Sequence, residues 1–185
     1  SSIGQAYITE SEMRSRWGSE YTTYYKKIKD AVSSTKGIIA VYEGKPILAA
    51  FCASSGGKTE ESQNVWGQAM PYLIRVDSHW DSKNTQTLSF TENELTSILG
   101  GIPEIQSLTQ SGYVQSVFAG GRKLSGIEVR QRLGLKSANF YLSRSNGKVY
   151  VTTRGYGHGV GMSQTGANAM ADEGCTFDEI LSHYY

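Results

Sequence analysis

"ANFYLSRSNGKVYVTTRGYGHGVGMSQTGANAMADEG" (Ala138 to Gly174) carries three kinds of patterning in one run. It opens with two β-rich segments joined by Asn146-Gly147, a dipeptide that suits a two-residue hairpin turn. Its middle places a glycine at every second position from Gly155 to Gly161, with His158 between two of them. Its end is alanine-rich and reads as a helix, with Ser163 as the N-cap and Gly174 at the C′ position. Hairpin, glycine run and helix follow one another without a β-α-β alternation, which points to an α+β fold.

The same alphabet runs outward from there. Ser and Thr followed three residues later by Glu predict capped helices starting at Thr9, Thr91, Ser125 and Thr176. "SEYTTYYKKIKDAVSSTKG" places Tyr21, Tyr24, Tyr25, Ile28, Ala31 and Val32 at helical spacing, with Gly37 as the stop. "IIAVY" and "ILAAF" flank "EGKP" and predict a hairpin whose strands are buried on both faces, since neither run alternates with polar residues. "QAYI" and "PYLIRV" read as strands, and "SLTQSGYVQSVFAGG" as a strand pair. "CASSGGKTEESQNVWG" is a loop of about sixteen residues, too long for a simple connection. The expected architecture is a single α+β domain over residues 1–185, hairpin-rich mixed sheets with short capped helices. Two lobes around a cleft are one form it can take.

Composition narrows the function. A chain of 185 residues with 38% apolar and 19% charged residues can bury a sizeable core. A net charge of +1 without a basic cluster argues against a nucleic-acid partner. The longest apolar run, "PILAAFCA", is too short to cross a bilayer, so any membrane anchor lies upstream of Ser1. Twelve tyrosines and three tryptophans are compatible with sugar stacking. Cys52 and Cys175 read as two unpaired thiols, with one bridge as the alternative. Neither they nor His79, His158 and His183 show zinc-site spacing, so no metal or other cofactor is expected.

Two glycine-rich stretches draw attention. In an extended chain, Gly155, Gly157, Gly159 and Gly161 share one bare face and Tyr156, His158, Val160 and Met162 the other. A bare face lets a strand or a flat sugar ring approach; the competing reading is positive-φ turns and tight packing. His158 projects into a cleft or closes one; the competing reading is a buried histidine with one hydrogen bond. The helix start at Ser163, Gln164, Thr165 and Gly166 offers a cup of N–H donors to an anion. In the second stretch Ser54, Ser55, Gly56, Gly57 and Thr59 form a polar loop with hydroxyls for a sugar. "GGKT" lacks phosphate-loop spacing and "ASSGG" is not a serine-hydrolase elbow. The two stretches are expected to be walls of one trough.

"AFCASSGGKTEESQNVWG", "PYLIRVDSHWD", "KLSGIEVRQRLGLKSANF" and "GYGHGVGMSQTGANAMADEGCTFDEILSHYY" together resemble the stage II sporulation protein D (SpoIID) family, whose wider relatives include the amidase enhancer LytB. The resemblance covers nearly all of the chain, in order. It implies an extracytoplasmic lytic transglycosylase of sporulation, working during engulfment at the mother-cell septal membrane. Its substrate is peptidoglycan glycan strands already stripped of stem peptides by the amidase partner SpoIIP. One carboxylic acid protonates the glycosidic oxygen, then takes the proton of the muramic acid 6-hydroxyl as a 1,6-anhydro ring closes. The family's acid lies in an Ala-Glu-Met-Pro type segment ahead of the part resembling "QAYIT", and these 185 residues hold no such stretch. Glu12-Met13 follows "QAYIT" and has no proline behind it. The expectation is therefore a family protein lacking its N-terminal third, with Ser54, Ser55, Gly56, Gly57, Thr59, Tyr156, His158, Ser163 and Gln164 holding glycan. The alternative is a non-catalytic peptidoglycan-binding or amidase-enhancing module, as in the LytB branch, in which the acid is natively absent. Glu60 is a poor substitute for the acid. Some members bind zinc just before "QAY"; here that place reads "SSIG", and the metal is not carried over.

Overall fold

The structure, a computed structural model, describes residues 7–81 and 83–185. The strand expected at "QAYI" falls partly on Gln5 and Ala6, outside the described residues, and Tyr7 and Ile8 belong to no element. The chain forms two compact units that part between Pro46 and Ile47.

The first unit holds α1 (Glu10–Trp17), α2 (Tyr21–Ser34) and a hairpin of β1 (Val41–Tyr42) and β2 (Lys45–Pro46). The helix boundaries follow the sequence signals: Thr9 and Glu12 exchange the two hydrogen bonds of a capping box, and Gly18 takes positive φ after α1. The hairpin corrects the sequence reading. Glu43 and Gly44 both adopt positive φ, so a two-residue turn pairs Tyr42 with Lys45. The strands are short and exposed rather than buried on both faces, and "ILAAF" does not pair with them.

The second unit carries the core. It runs through β3 (Phe51–Cys52), α3 (Ser62–Trp66), β4 (Thr85–Thr91), α4 (Glu92–Leu99), β5 (Glu104–Leu108), β6 (Val114–Ala119), β7 (Arg122–Ser125) and α5 (Gly126–Leu133). Then follow β8 (Phe140–Ser145), β9 (Lys148–Arg154), β10 (Met162–Ser163), α6 (Gln164–Asp172) and α7 (Phe177–Tyr184). Two antiparallel three-stranded sheets, ordered β4-β9-β8 and β5-β6-β7, stand beside one short parallel pair, β3 with β10. The Asn146-Gly147 turn sets the β8–β9 register, pairing Ser145 with Lys148. Glu94, Glu128 and Glu179 close the remaining capping boxes as predicted. The fold is α+β.

The main cluster is drawn from α4, α5 and the inward faces of β6, β8 and β9, with Leu95, Leu99, Val117, Val129 and Val151 all fully buried or nearly so. A second cluster under α6 and α7 gathers Met170, Ile180 and Tyr184. "PYLIRV" is not a strand. Its backbone bonds singly to the segment at Thr59, whose hydroxyl donates to the Ile74 carbonyl at 2.9 Å and accepts from the Val76 N–H at 2.8 Å. A side chain thus takes the place of a ladder. No helix among the described residues is long and apolar enough to cross a membrane.

Candidate functional site

The glycine run and the Ser54 loop are packed directly on each other. Gly155, Gly157, Gly159 and Gly161 have φ of 74°, 115°, 82° and 71°, so the run is a chain of left-handed turns rather than an extended ribbon with a bare face. The glycines admit close neighbours: a methyl group on Gly159 would meet the Tyr113 hydroxyl, and one on Gly161 the Ala50 carbonyl. Ser54 pairs with Tyr156 in both directions, and the Glu60 N–H donates to the Gly159 carbonyl at 2.8 Å.

Asp81 knots this crossing together. It is 1% exposed. Its carboxylate accepts from the Ser55 N–H and the Gly57 N–H, each at 2.8 Å, and from the hydroxyls of Ser55 and Ser163. Ser163 also caps α6, accepting from the Gly166 N–H at 3.2 Å. Thr165 donates both its N–H and its hydroxyl to the Ala53 carbonyl. Two of the three donors expected at this helix start, the Thr165 and Gly166 N–H groups, are therefore already taken. The anion that its dipole favours is the protein's own Asp81.

A cleft of about 250 Å³ opens beside the crossing, lined among others by Glu60, Asn64, Thr109, Tyr113, Arg130 and His158. Glu60 reaches it from the loop, Thr109 and Tyr113 from the turn between β5 and β6, and Arg130 from α5. His158 comes from the glycine run. Its Nδ1 accepts from the Val160 N–H at 3.0 Å, which leaves Nε2 as the position for a proton. Burial, then the nearby Arg130 guanidinium, hold the imidazole below its usual pKa, in the neutral form. The Trp66 ring lies 5.3 Å from the imidazole, and Trp66 is 42% exposed. Arg130 makes no ion pair among the described residues; its Nε donates weakly to the Leu135 carbonyl at 3.4 Å. Burial lowers its pKa from the ordinary arginine value. Glu60, 1% exposed, accepts from the Glu61 N–H, the Asn64 amide and the Thr109 hydroxyl. It is the one carboxylate lining the cleft among the described residues. The paired acids of an ordinary glycosidase are not assembled here.

No family model matches the chain. Curated relatives do. The chain is 41% identical to stage II sporulation protein D of Bacillus amyloliquefaciens and 42% identical to that of Bacillus subtilis (strain 168), in each case over 98% of its own length. This chain belongs to the stage II sporulation protein D family. It spans 56% of those two relatives' length. It is also 31% identical to the amidase enhancer of Bacillus subtilis (strain 168), over 84% of this chain and 31% of that protein. The relatives' names tie the family to sporulation and the cell wall.

Within this family member the expected contact residues part into two groups. Tyr156, with Lys136 set 5.4 Å over its ring, and Gln164 are exposed, and His158 lines the cleft. Ser54, Ser55, Thr59 and Ser163 are fully buried, at 0% exposure. The hydroxyls of Ser55, Thr59 and Ser163 are spent on internal partners, and that of Ser54, though without a partner among the described residues, is buried out of reach. The reading of Ser54, Ser55 and Thr59 as sugar ligands is therefore corrected. Gly56 is also buried, and with Gly57 it lines a separate hollow. The trough between two walls becomes a sealed seam with a cleft at one edge. Arg130, Asn64, Thr109, Trp66 and Asp81 were not singled out from sequence. All five stood within stretches already marked: Asn64 and Trp66 in "QNVWG", Asp81 in "SHWD", Thr109 in "SLTQSGYVQSVFAGG" and Arg130 in "KLSGIEVRQRLGLKSANF". Both cysteines are free; burial pushes the Cys52 thiol up to about 12, leaving it inert.

Proposed function

We propose that this chain is the glycan-holding body of a sporulation lytic transglycosylase acting on peptide-stripped peptidoglycan, outside the cytoplasmic membrane and alongside an amidase. The observation that carries the reading is the cleft lined by an ion-pair-free Arg130 and a neutral His158, with the exposed Trp66 ring 5.3 Å from the imidazole at its edge. A flat ring stacks on a sugar face, and a half-buried guanidinium holds an oxygen-rich polymer, while the imidazole, bonded to the Phe51 and Val160 backbone, is a fixed part of the wall. The acid that protonates the glycosidic oxygen is supplied from outside these 185 residues. Glu60, buried and bonded to three donors, ties the loop to the β5–β6 turn instead of facing substrate.

A second reading is a wall-binding module that stimulates an amidase. The single, fully engaged carboxylate of the cleft favours it, and so does the similarity to an amidase enhancer. Incubating this chain and a longer version with amidase-stripped glycan, with mass spectrometry of the products, separates the two. Anhydro-ended fragments from the longer version alone support the enzyme body; none from either supports the module. Both readings require binding, and Arg130→Gln is expected to weaken it about tenfold. Unchanged affinity would remove the cleft from consideration.

A further inference from the structure

On the other side of the crossing between the 56–60 segment and the 109–113 turn lies a second hollow, of about 380 Å³. It is lined by Gly56, Gly57, Lys58, His79, Gln110, Ser111, Gly112, Asn139 and Arg154, with no carboxylate among them. Lys58 and Arg154 are exposed and in no ion pair among the described residues; His79 is paired with Asp77 at 3.0 Å. Two buried polar side chains stand in the wall. Asn139 is 8% exposed, and although its backbone bonds to Ser137 and Arg154, its side-chain amide has no partner among the described residues. The Ser111 hydroxyl is buried without a partner among the described residues, while the Asn139 amide, also without one, keeps some contact with solvent. Buried polar groups are almost always hydrogen-bonded, because leaving them unpaired forfeits their hydration with nothing in return. Arg154 lies over the Tyr141 ring at 5.4 Å, and neither it nor Lys58 has a carboxylate partner among the described residues. Unpaired donors beside two such cations are what an oxygen-rich anion would complete.

We propose that this hollow binds an oxyanion carried on a wall polymer, with Asn139 and Ser111 as its hydrogen-bonding floor and Lys58 and Arg154 as its charge. The inference deepens the glycan reading and rests on it for one of two sources. A peptide-stripped strand bears a free carboxylate on each muramic acid, whereas a phosphodiester wall polymer offers the same chemistry as phosphate. The 56–60 segment borders both hollows, with Lys58 lining this one and Glu60 the cleft.

The test measures affinity of the chain for three probes: a neutral N-acetylglucosamine oligomer, peptide-free glycan strands and poly(glycerol phosphate). The variants are the double substitution Lys58→Gln/Arg154→Gln and, separately, Asn139→Asp, each checked for an unchanged melt. Both are expected to lose about tenfold or more on an anionic polymer while the neutral oligomer binds as before. Loss on peptide-free glycan identifies the carboxylate as the source, and loss on poly(glycerol phosphate) the phosphate. Equal losses on all three probes, or no loss on either anionic polymer, overturn the proposal, as does a wild-type chain that binds neither. Failure of the wild-type chain to bind both glycans sinks the glycan reading alone, because the phosphate probe still decides the hollow.

Discussion

At Gly159 an added methyl group would sit 2.0 Å from the Tyr113 hydroxyl, which is itself fixed by donating to the Ser55 carbonyl at 2.7 Å. At Gly174, also at positive φ, the same methyl group would meet nothing within 4 Å. The pair separates two costs. Gly174→Ala should lose about 1 kcal/mol, the left-handed backbone penalty alone. Gly159→Ala should lose about 4 kcal/mol, because overpacking adds to that penalty. Urea unfolding of both variants checks the difference, and equal losses would mean that Tyr113 yields freely. The every-second-glycine spacing was legible in the sequence, but its cause was not. An extended ribbon and a chain of left-handed turns ask for the same residues; the choice is made by the Ala50–Gly56 backbone, a hundred residues away. His158 adds a pH prediction. Its folded pKa lies below the unfolded value, so the unfolded chain takes up the proton first as pH falls. The contribution of the neutral imidazole is present above the unfolded value and is lost as pH drops below it towards the folded one. The stability gap between the wild type and His158→Gln should therefore narrow on moving from pH 8 to pH 5, as read from denaturation at each pH.

Elements differ in how far their causes lie from them. The starts of α1, α4, α5 and α7 are each fixed by two residues three apart, and all four were readable for that reason. The start of α6 was readable too, but its function was not. Nothing near Ser163 announces that its hydroxyl will be claimed by Asp81, 82 residues earlier. "PYLIRV" fails as a strand on the same grounds, since Thr59 supplies its bonds from outside the segment. Asp81 is thus the element-scale joint, binding the Ser55–Gly57 loop to the β10–α6 junction. Asp81→Asn places an amide N–H among donors and leaves at least one of them without an acceptor. The expected loss is about 3 kcal/mol, in line with an unsatisfied buried donor facing a former charge-assisted bond. Hydrogen exchange should show faster exchange at Ser55, Gly57 and Gly166, and unchanged rates at the β8–β9 ladder. A uniform increase across the chain would mean that Asp81 supports the whole fold rather than this joint.

For the whole molecule, both apolar clusters and the cleft are built from residues after Pro46. Among the described residues, the first unit contributes one buried hydrophobic side chain, Tyr21, and as many exposed large hydrophobics as the whole of the longer second unit. Stability should follow the buried set. Each large side chain of the main cluster contributes about 2 kcal/mol on burial, and none of them belongs to the first 46 residues. The segment Ile47–Tyr185 expressed alone is therefore expected to melt in one cooperative transition within about 5 °C of the full chain. It should also keep its affinity for the neutral N-acetylglucosamine oligomer, since Arg130, His158 and Trp66 all remain. Removing the first unit removes much of the exposed apolar surface, so the fragment should stay monomeric at higher concentration, as light scattering would read. A broad, uncooperative melt would show that the second unit does not hold its core alone, and would move the cleft's support to residues before Ile47.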